Sequence, residues 1–209
     1  MKTPGSPRNL LLAALAAIIT TLTWSAPATA DDEATPTPAS SLTTAFPIPE
    51  TDLVMDVPET WGEIPADISD QVDADSLFNL DIAEEDTLVE LQSGPDESFA
   101  VMLISKEGPL YGTPVQELKT VERGLKISRW VTWVIGSGME ITRPTQAMDI
   151  EGTTAATMSF LSGQENNHTV MTMTYIVIGE ETIFIVDAAP KGTDAVRVLD
   201  EMRNSIRLE

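Results

Sequence analysis

The order of hydrophobic and polar residues along the chain separates strands from helices. Period-two alternation and short apolar runs predict strands. These strands span 53–57, 87–92, 99–105, 142–150, 153–161, 169–178 and 182–188. A period near 3.6 predicts helices over 114–135 and 194–206, and a shorter helix is drawn over 67–78. The last four strands follow one another through short links, which favours an antiparallel meander.

Capping residues mark where the two main helices begin. Thr113 suits the N-cap, Pro114 the first helical position, and Gln116 completes a capping box. Thr193 caps the last helix in the same way. The buried stripe of the first helix comprises Val115, Leu118, Val121 and Leu125 and continues through Ile127, Trp130, Val131 and Val134, before Gly136 and Gly138 end the helix. The stripe of the last helix comprises Ala195, Leu199, Met202 and Ile206.

This order of elements predicts an α+β fold. Two or more strands, a long helix, four strands and a final helix fit an antiparallel β-sheet with helices packed on its surfaces. The chain has no cysteine, so its stability depends on a hydrophobic core without disulfides. We therefore expect a single α+β domain over residues 51–209.

The first 30 residues have the pattern of a secretory signal peptide. Lys2 and Arg8 precede a 13-residue apolar run over 10–22, and Ala28 and Ala30 form a small-x-small cleavage site. A membrane span needs roughly 20 apolar residues, so cleavage is favoured over anchoring. Without a cysteine, no lipid attaches at the cleavage site. We expect a secreted, extracytoplasmic protein without a stable membrane anchor.

Residues 31–50 are rich in Pro, Thr and Ala and predict a disordered tether. The formal net charge of the whole chain is −21, and no Lys or Arg occurs between Arg8 and Lys106. Nucleic acids and anionic lipid surfaces require a basic footprint, so the charge argues against both as partners. We interpret the acidic residues of this N-terminal half as favouring solubility. Cation binding and docking onto a basic partner are the alternatives.

The residues offer little for catalysis, metal binding or a cofactor. The one histidine, His168, lies in a predicted hairpin loop as an exposed turn residue. Asp73 and Asp75 begin a calcium-loop spacing, but Phe78 occupies the position that requires glycine. The methionines on the predicted strands are interpreted as core residues rather than copper ligands. We assign no catalytic, cofactor or metal residue.

Three tryptophans are the candidate interaction residues: Trp61, Trp130 and Trp133. Aromatic anchors dominate many protein interfaces. Trp130 falls near the buried stripe of the 114–135 helix and Trp133 at its edge, so core packing is favoured over an exposed role as an anchor.

Several short motifs resemble the PsbP-like family of exported domains. They are the Pro-x-x-Trp at 58–61, the acidic-Gly turn at 150–155, the strand at 182–186 and the Ser-Ile-Arg at 205–207. The resemblance implies an α-β-α sandwich of the PsbP/Mog type. It also implies a mostly non-catalytic binding or assembly module, as in the LpqN-like lipoproteins of actinobacterial envelopes, although this chain lacks their lipid-bearing cysteine.

Together these observations predict an exported, non-enzymatic binding or accessory module of the bacterial cell envelope. It would dock a protein or a ligand, and we expect its partner to be an envelope protein or a cell-wall component. The alternative is an envelope hydrolase or a small-ligand carrier with an internal pocket. Converging carboxylates with raised pKa values in a cleft would favour the enzyme. An exposed apolar patch over a closed core would favour the binding module.

Overall fold

The structure is a computed structural model that describes residues 42–64, 86–132, 139–162 and 168–209. These residues form ten strands and two helices. The strands are β1 (Leu42–Pro47), β2 (Leu53–Pro58), β3 (Gly62–Glu63), β4 (Thr87–Gln92), β5 (Val101–Glu107), β6 (Glu140–Met148), β7 (Thr154–Ser162), β8 (Thr169–Ile178), β9 (Glu181–Pro190) and β10 (Arg207–Leu208). The helices are α1 (Pro114–Thr132) and α2 (Asp194–Asn204).

Two antiparallel sheets organise the strands. Seven strands pair in the order β3-β4-β5-β9-β8-β7-β6, and three pair in the order β1-β2-β10. The hairpin from β8 to β9 turns through Gly179 and Glu180, and Gly179 has a φ of 60°. Glycine adopts this φ without steric cost at the first loop position of a type II′ hairpin. The C-terminal end of β5 lies beside this hairpin, with Glu107 opposite Thr182.

The side chains of the large sheet point alternately into two cores. On β9, Ile183 and Ile185 lie in one core, and Phe184 and Val186 lie in the other. Helix α2 and strand β2 cover the first core, and α1 covers the second. The result is a layered sandwich with a helix on each face of the large sheet. It confirms the predicted α+β class and adds a small second sheet beside α2.

Helix α1 begins at the predicted capping box. The N–H of Thr113 donates to Gln116 Oε1 at 2.9 Å, and the N–H of Gln116 donates to Thr113 Oγ1 at 3.3 Å. Leu118 and Leu125 are buried, but Ile127 is 71% exposed, so its place in the predicted stripe is wrong. At about 100° per residue, Ile127 lies on the opposite side of the helix from Leu118. The buried face includes Glu122 instead.

Helix α2 buries Ala195, Leu199 and Met202 of its predicted stripe; Ile206 is also buried, but the helix ends at Asn204, so the predicted end at residue 206 is wrong. Thr193 occupies the N-cap, but its hydroxyl donates to the carbonyl of Pro190 at 2.8 Å and not to the helix. The helix does not depend on a side-chain cap, because its apolar face packs on β9 and β2. The predicted 67–78 helix and the glycines after α1 lie outside the described residues.

Part of the predicted tether belongs to the fold, and this corrects the boundary drawn at residue 51. Strand β1 pairs with β2, with Phe46 opposite Met55, and Ile48 is only 1% exposed. Prolines flank these apolar residues, and the composition therefore resembles a linker. An edge strand tolerates proline because one side of its backbone needs no partner. Residues 42–50 are consequently structured, whereas residues 31–41 are outside the described part.

Candidate functional site

The structure places one of the predicted interaction residues, Trp61, in the core. Its side chain is 7% exposed, and its Nε1–H donates to Glu97 Oε2 at 3.1 Å. Trp130 lies on α1, but its side chain is outside the described part. Trp133, Ala28 and Ala30 are also outside it. The described structure therefore brings none of these candidates together at a surface.

His168 is not the exposed turn residue that the sequence predicts, and Asp73, Asp75 and Phe78 lie outside the described residues. His168 is half-buried rather than exposed, because it precedes β8 beside the end of β9, where its carbonyl accepts the N–H of Lys191 at 2.8 Å. Within the described ranges, no three acidic or histidine side chains are placed to share a metal ion. No helix in those ranges combines the length and the apolar character that crossing a membrane requires.

An open groove of about 390 Å³ lies at the end of the large sheet where β5 ends and the β8–β9 hairpin turns. It is lined by Pro109, Leu110, Gly112, Val177, Gly179, Glu180 and Thr182. Part of the lining is contributed by the loop between β5 and α1 and part by the hairpin. We call this the hairpin groove. Of its lining residues, only Glu180 is charged.

An exposed aromatic side chain stands on the loop that borders the hairpin groove. Tyr111 is 82% exposed and lies between the lining residues Leu110 and Gly112. It is one of two large hydrophobic side chains that are strongly exposed among the described residues; the other is Ile127. An aromatic ring with a polar hydroxyl is the kind of side chain that interfaces use as an anchor.

The start of α1 fixes the position of this loop. A Cβ at Gly112 would lie 2.5 Å from Gln116 Oε1, the same oxygen that accepts the N–H of Thr113. Glycine at this position therefore allows the capping box to close over the loop. The loop is held at both ends, by the last residue of β5 and by this cap. Tyr111 is accordingly presented from a constrained backbone.

A second carboxylate, Glu107, lies in the same cross-strand row as two residues of the hairpin groove. Glu107 lies opposite Thr182, which in turn lies opposite Val177, so Glu107 shares a sheet face with two lining residues. Burial and the nearby negative charge of Asp86 raise the pKa of Glu107. Among the described residues, no Lys or Arg lies within salt-bridge distance of Glu107.

Tyr175 lies on the same sheet face, one pair further from the hairpin. Its ring packs on Phe184 with a centroid separation of 4.8 Å. Burial raises the pKa of the Tyr175 phenol, and the negative charges of Glu107 and Glu117 raise it further. The phenol consequently remains neutral and offers a hydrogen bond without a charge.

Lys106, the neighbour of Glu107 on β5, is already paired on the other face of the sheet. Lys106 Nζ lies 3.2 Å from Glu50 Oε2 and 3.8 Å from Glu181 Oε1. Lys106 is opposite Ile183, which belongs to the core under α2. Lys106 therefore points away from the face that carries Glu107.

A second polar cluster is buried beneath α2. Arg203 is 3% exposed and donates to Asp187, which is 2% exposed, and to Asp200. Arg143 of β6 donates to both oxygens of Asp200 at 3.0 Å. Burial raises the pKa of Asp187, and the charge and hydrogen bond of Arg203 oppose that effect. The cluster joins β9, α2 and β6, so its evident role is to orient the helix on the sheet.

A smaller pocket of about 190 Å³ lies between α1 and β6. Glu122 lines it, and hydrogen bonds from Lys126 and from the N–H of Thr145 lower the pKa of Glu122 to about 2. The carboxylate is thus already satisfied by groups of the protein itself. A group in this state serves to bind α1 to β6 rather than to receive a ligand.

The sequence carries a signal for two residues that its motifs do not mark, Tyr111 and Asp187. An aromatic residue among the turn formers of the 108–112 stretch, Gly-Pro-Leu-Tyr-Gly, indicates an exposed ring. A single aspartate in the apolar run of β9 indicates a buried charge. Arg203, the partner of Asp187, lies on the face of α2 that also carries Leu199. The periodicity of apolar residues does not predict that a charged residue is buried there.

No protein-family model matches this sequence, and no curated protein matches it either. Solved structures that resemble it in fold include three that correspond to the predicted resemblance. Cyanobacterial PsbP from Synechocystis is 14% identical, with a TM-score of 0.48, and the match covers 85% of this chain and 98% of that one. The Ran-binding protein Mog1p of Saccharomyces cerevisiae is 8% identical, with a TM-score of 0.46, and coverages of 79% and 94%.

LpqN of Mycobacterium tuberculosis, involved in cell envelope biogenesis, is 12% identical, with a TM-score of 0.45, and coverages of 75% and 82%. This chain spans 45% of the length of a further similar structure, from Bacteroides thetaiotaomicron. PsbP, Mog1p and LpqN represent the groups that the sequence motifs resemble. At these values the likeness is distant, and it says nothing about what this chain binds.

Proposed function

We propose that this protein is an exported, non-enzymatic accessory module of the bacterial cell envelope, and that it docks a protein partner at the hairpin groove. The observation that carries the proposal is the 82% exposure of Tyr111 beside an open groove. Water contact with so much aromatic surface is unfavourable, and covering it with a partner is a direct source of binding free energy.

The constrained loop supports this role. The capping box of α1 and the close approach of Gly112 to Gln116 hold the backbone on which Tyr111 stands. A preformed anchor loses little conformational entropy on binding. The groove beside the ring has room for a side chain of the partner, as hot-spot residues commonly require.

The residues of the groove favour docking over hydrolysis. Among the described residues, its lining contains one carboxylate, Glu180, and no histidine, serine or lysine. Paired carboxylates or a nucleophile with an adjacent base are the usual starting points for hydrolysis. The lining is instead mainly apolar or glycine, which suits the contact surface of a partner protein.

Export is the part of the proposal that the first 30 residues support. Cleavage after Ala30 releases a chain that begins at Asp31. Intact-mass measurement of the protein secreted by its native host tests this step. A chain that starts at Asp31 is expected; an uncleaved chain recovered from membranes contradicts it.

Affinity capture with two matched variants tests docking. Tyr111→Ala removes the anchor, and Ile127→Ala removes the other strongly exposed apolar side chain from a different surface of the protein. We expect the wild type and Ile127→Ala to retain the same envelope protein and Tyr111→Ala to lose it. Equal recovery by all three forms, or no reproducible partner, contradicts the proposed docking site.

A further inference from the structure

The charges near the hairpin groove identify the kind of partner segment that fits it, provided that the groove docks a protein as proposed above. Glu180 lines the groove, and Glu107 lies in the same cross-strand row as the lining residues Thr182 and Val177. Asp86 and Glu117 are close enough to act electrostatically on Glu107 and Tyr175 respectively. The surface is thus both apolar and negative.

Among the described residues, Glu180 has no salt-bridge partner. Lys106 pairs with Glu50 and Glu181 on the opposite face of the sheet. Glu107 is half-buried and, among the described residues, forms no salt bridge. A half-buried carboxylate has lost part of its hydration, so an incoming cation gains more from it than from a fully hydrated one.

The exposed ring of Tyr111 adds a second attraction for a cation. Guanidinium and ammonium groups bind the faces of aromatic rings, and arginine does so while it also donates in-plane hydrogen bonds to a carboxylate. Leu110 and Val177 contribute apolar surface to the lining of the groove. A side chain with a long apolar stem and a cationic end matches this combination.

Other occupants fit less well. A second copy of this chain carries the same formal charge of −21 and is repelled. Anionic lipid and nucleic acid are repelled for the same reason. The observations therefore favour a basic protein segment.

We propose that the hairpin groove recognises a segment of a partner protein in which an arginine or lysine stands next to an apolar residue. The cation lies between Tyr111 and the carboxylates of Glu107 and Glu180, and the apolar neighbour contacts Leu110 and Val177. Recognition is by charge and apolar contact together, so either one alone binds weakly.

A phage library of random dodecapeptides tests this inference with the secreted protein. Four immobilised forms are compared: the wild type, Tyr111→Ala, Glu180→Gln and a control variant. Asp96→Asn serves as the charge control, because Asp96 is exposed in the turn between β4 and β5, at the opposite end of β5 from Glu107. Synthetic copies of the enriched peptides then give dissociation constants.

We expect the enriched peptides to carry arginine or lysine beside an apolar residue. Tyr111→Ala weakens their binding by about thirtyfold, as loss of an interface anchor does. Glu180→Gln weakens it by about twofold to fivefold, and added salt does the same. Asp96→Asn leaves binding unchanged.

The remaining outcomes separate this inference from the proposed function. Neutral or acidic peptides whose binding still depends on Tyr111 overturn the basic segment and leave the docking site standing. Basic peptides that bind Tyr111→Ala as well as the wild type, or no enriched peptide at all, overturn both.

Discussion

The carboxylate of Glu122 on α1 accepts a hydrogen bond from the backbone N–H of Thr145 on β6, at 3.0 Å. β6 is an edge strand, and its pairing with β7 is irregular between Arg143 and Gln146. Such an irregularity leaves backbone groups without ladder partners. A buried helix side chain therefore completes the hydrogen bonding of a strand that the sheet itself does not satisfy.

Truncation of Glu122 is expected to destabilise the protein through this contact. Glu122→Ala removes the acceptor of Thr145 N–H, at a cost of about 1–3 kcal/mol in the free energy of unfolding. Lys126→Ala is the control: Lys126 is the exposed partner of Glu122, and its loss leaves the bond to Thr145 in place. We expect Lys126→Ala to cost less than about 1 kcal/mol. Urea unfolding of both variants measures the difference, and equal losses would contradict the assignment.

The same carboxylate predicts a specific pH dependence. Its pKa falls from an ordinary value of 4.5 to about 2 in the folded protein, mainly because of the hydrogen bonds from Lys126 and Thr145. A carboxyl with a lowered pKa contributes stability above its unfolded value and loses it as the pH falls towards the folded value. The difference in Tm between the wild type and Glu122→Gln should thus be constant above about pH 5 and shrink towards about pH 2. A difference that does not change with pH would exclude this role.

The buried pair of Arg203 and Asp187 predicts a strong non-additivity. Arg203→Met leaves Asp187 buried without its cation and is expected to cost about 3–5 kcal/mol. Replacing both residues, as Arg203→Met with Asp187→Leu, removes the isolated charge, so most of that loss should be recovered. Denaturant unfolding of the two single variants and the double variant measures the coupling. Simple addition of the two single losses would show that the pair does not interact as described.

The loop that carries Tyr111 contains two glycines whose replacement by alanine should affect the stability differently. Gly112→Ala drives a Cβ against Gln116 Oε1 and breaks the capping box, for which we expect a loss of about 1 kcal/mol. Gly108→Ala, in the same loop, adds a Cβ with no atom within 4 Å and should change the stability little. Thermal unfolding compares the two variants. Equal effects would mean that the cap does not constrain this loop.

The sequence predicts the architecture well because its signals are local. The alternation in β4 and β8 gives their bounds, and the Thr113–Gln116 box gives the start of α1. The sequence does not predict the structure of residues 42–50 by such local signals. Pro47 is typical of a linker, whereas Ile48 is buried by contacts with residues that follow it in the sequence. β3 and β10 have two residues each, too few to show a period.

The candidate site was less predictable, because it depends on long-range placement. Tyr111 and Glu180 belong to two separate loops, and only the pairing of β5 with β9 and of β9 with β8 brings those loops to one end of the sheet. Trp61 shows that an aromatic residue type alone does not identify an interaction site. Its aromatic character predicts an anchor equally well, yet a hydrogen bond to Glu97 and burial keep it in the core.

Site-specific photo-crosslinking in the native host tests the central claim most directly. p-Benzoylphenylalanine is placed at Tyr111 and, as the control, at Lys191, which is exposed beyond the far end of β9. The docking model predicts a discrete protein adduct from position 111, none from position 191, and a crosslinked partner peptide that contains arginine or lysine. The absence of an adduct at position 111, or the same adduct from both positions, would contradict docking at the hairpin groove.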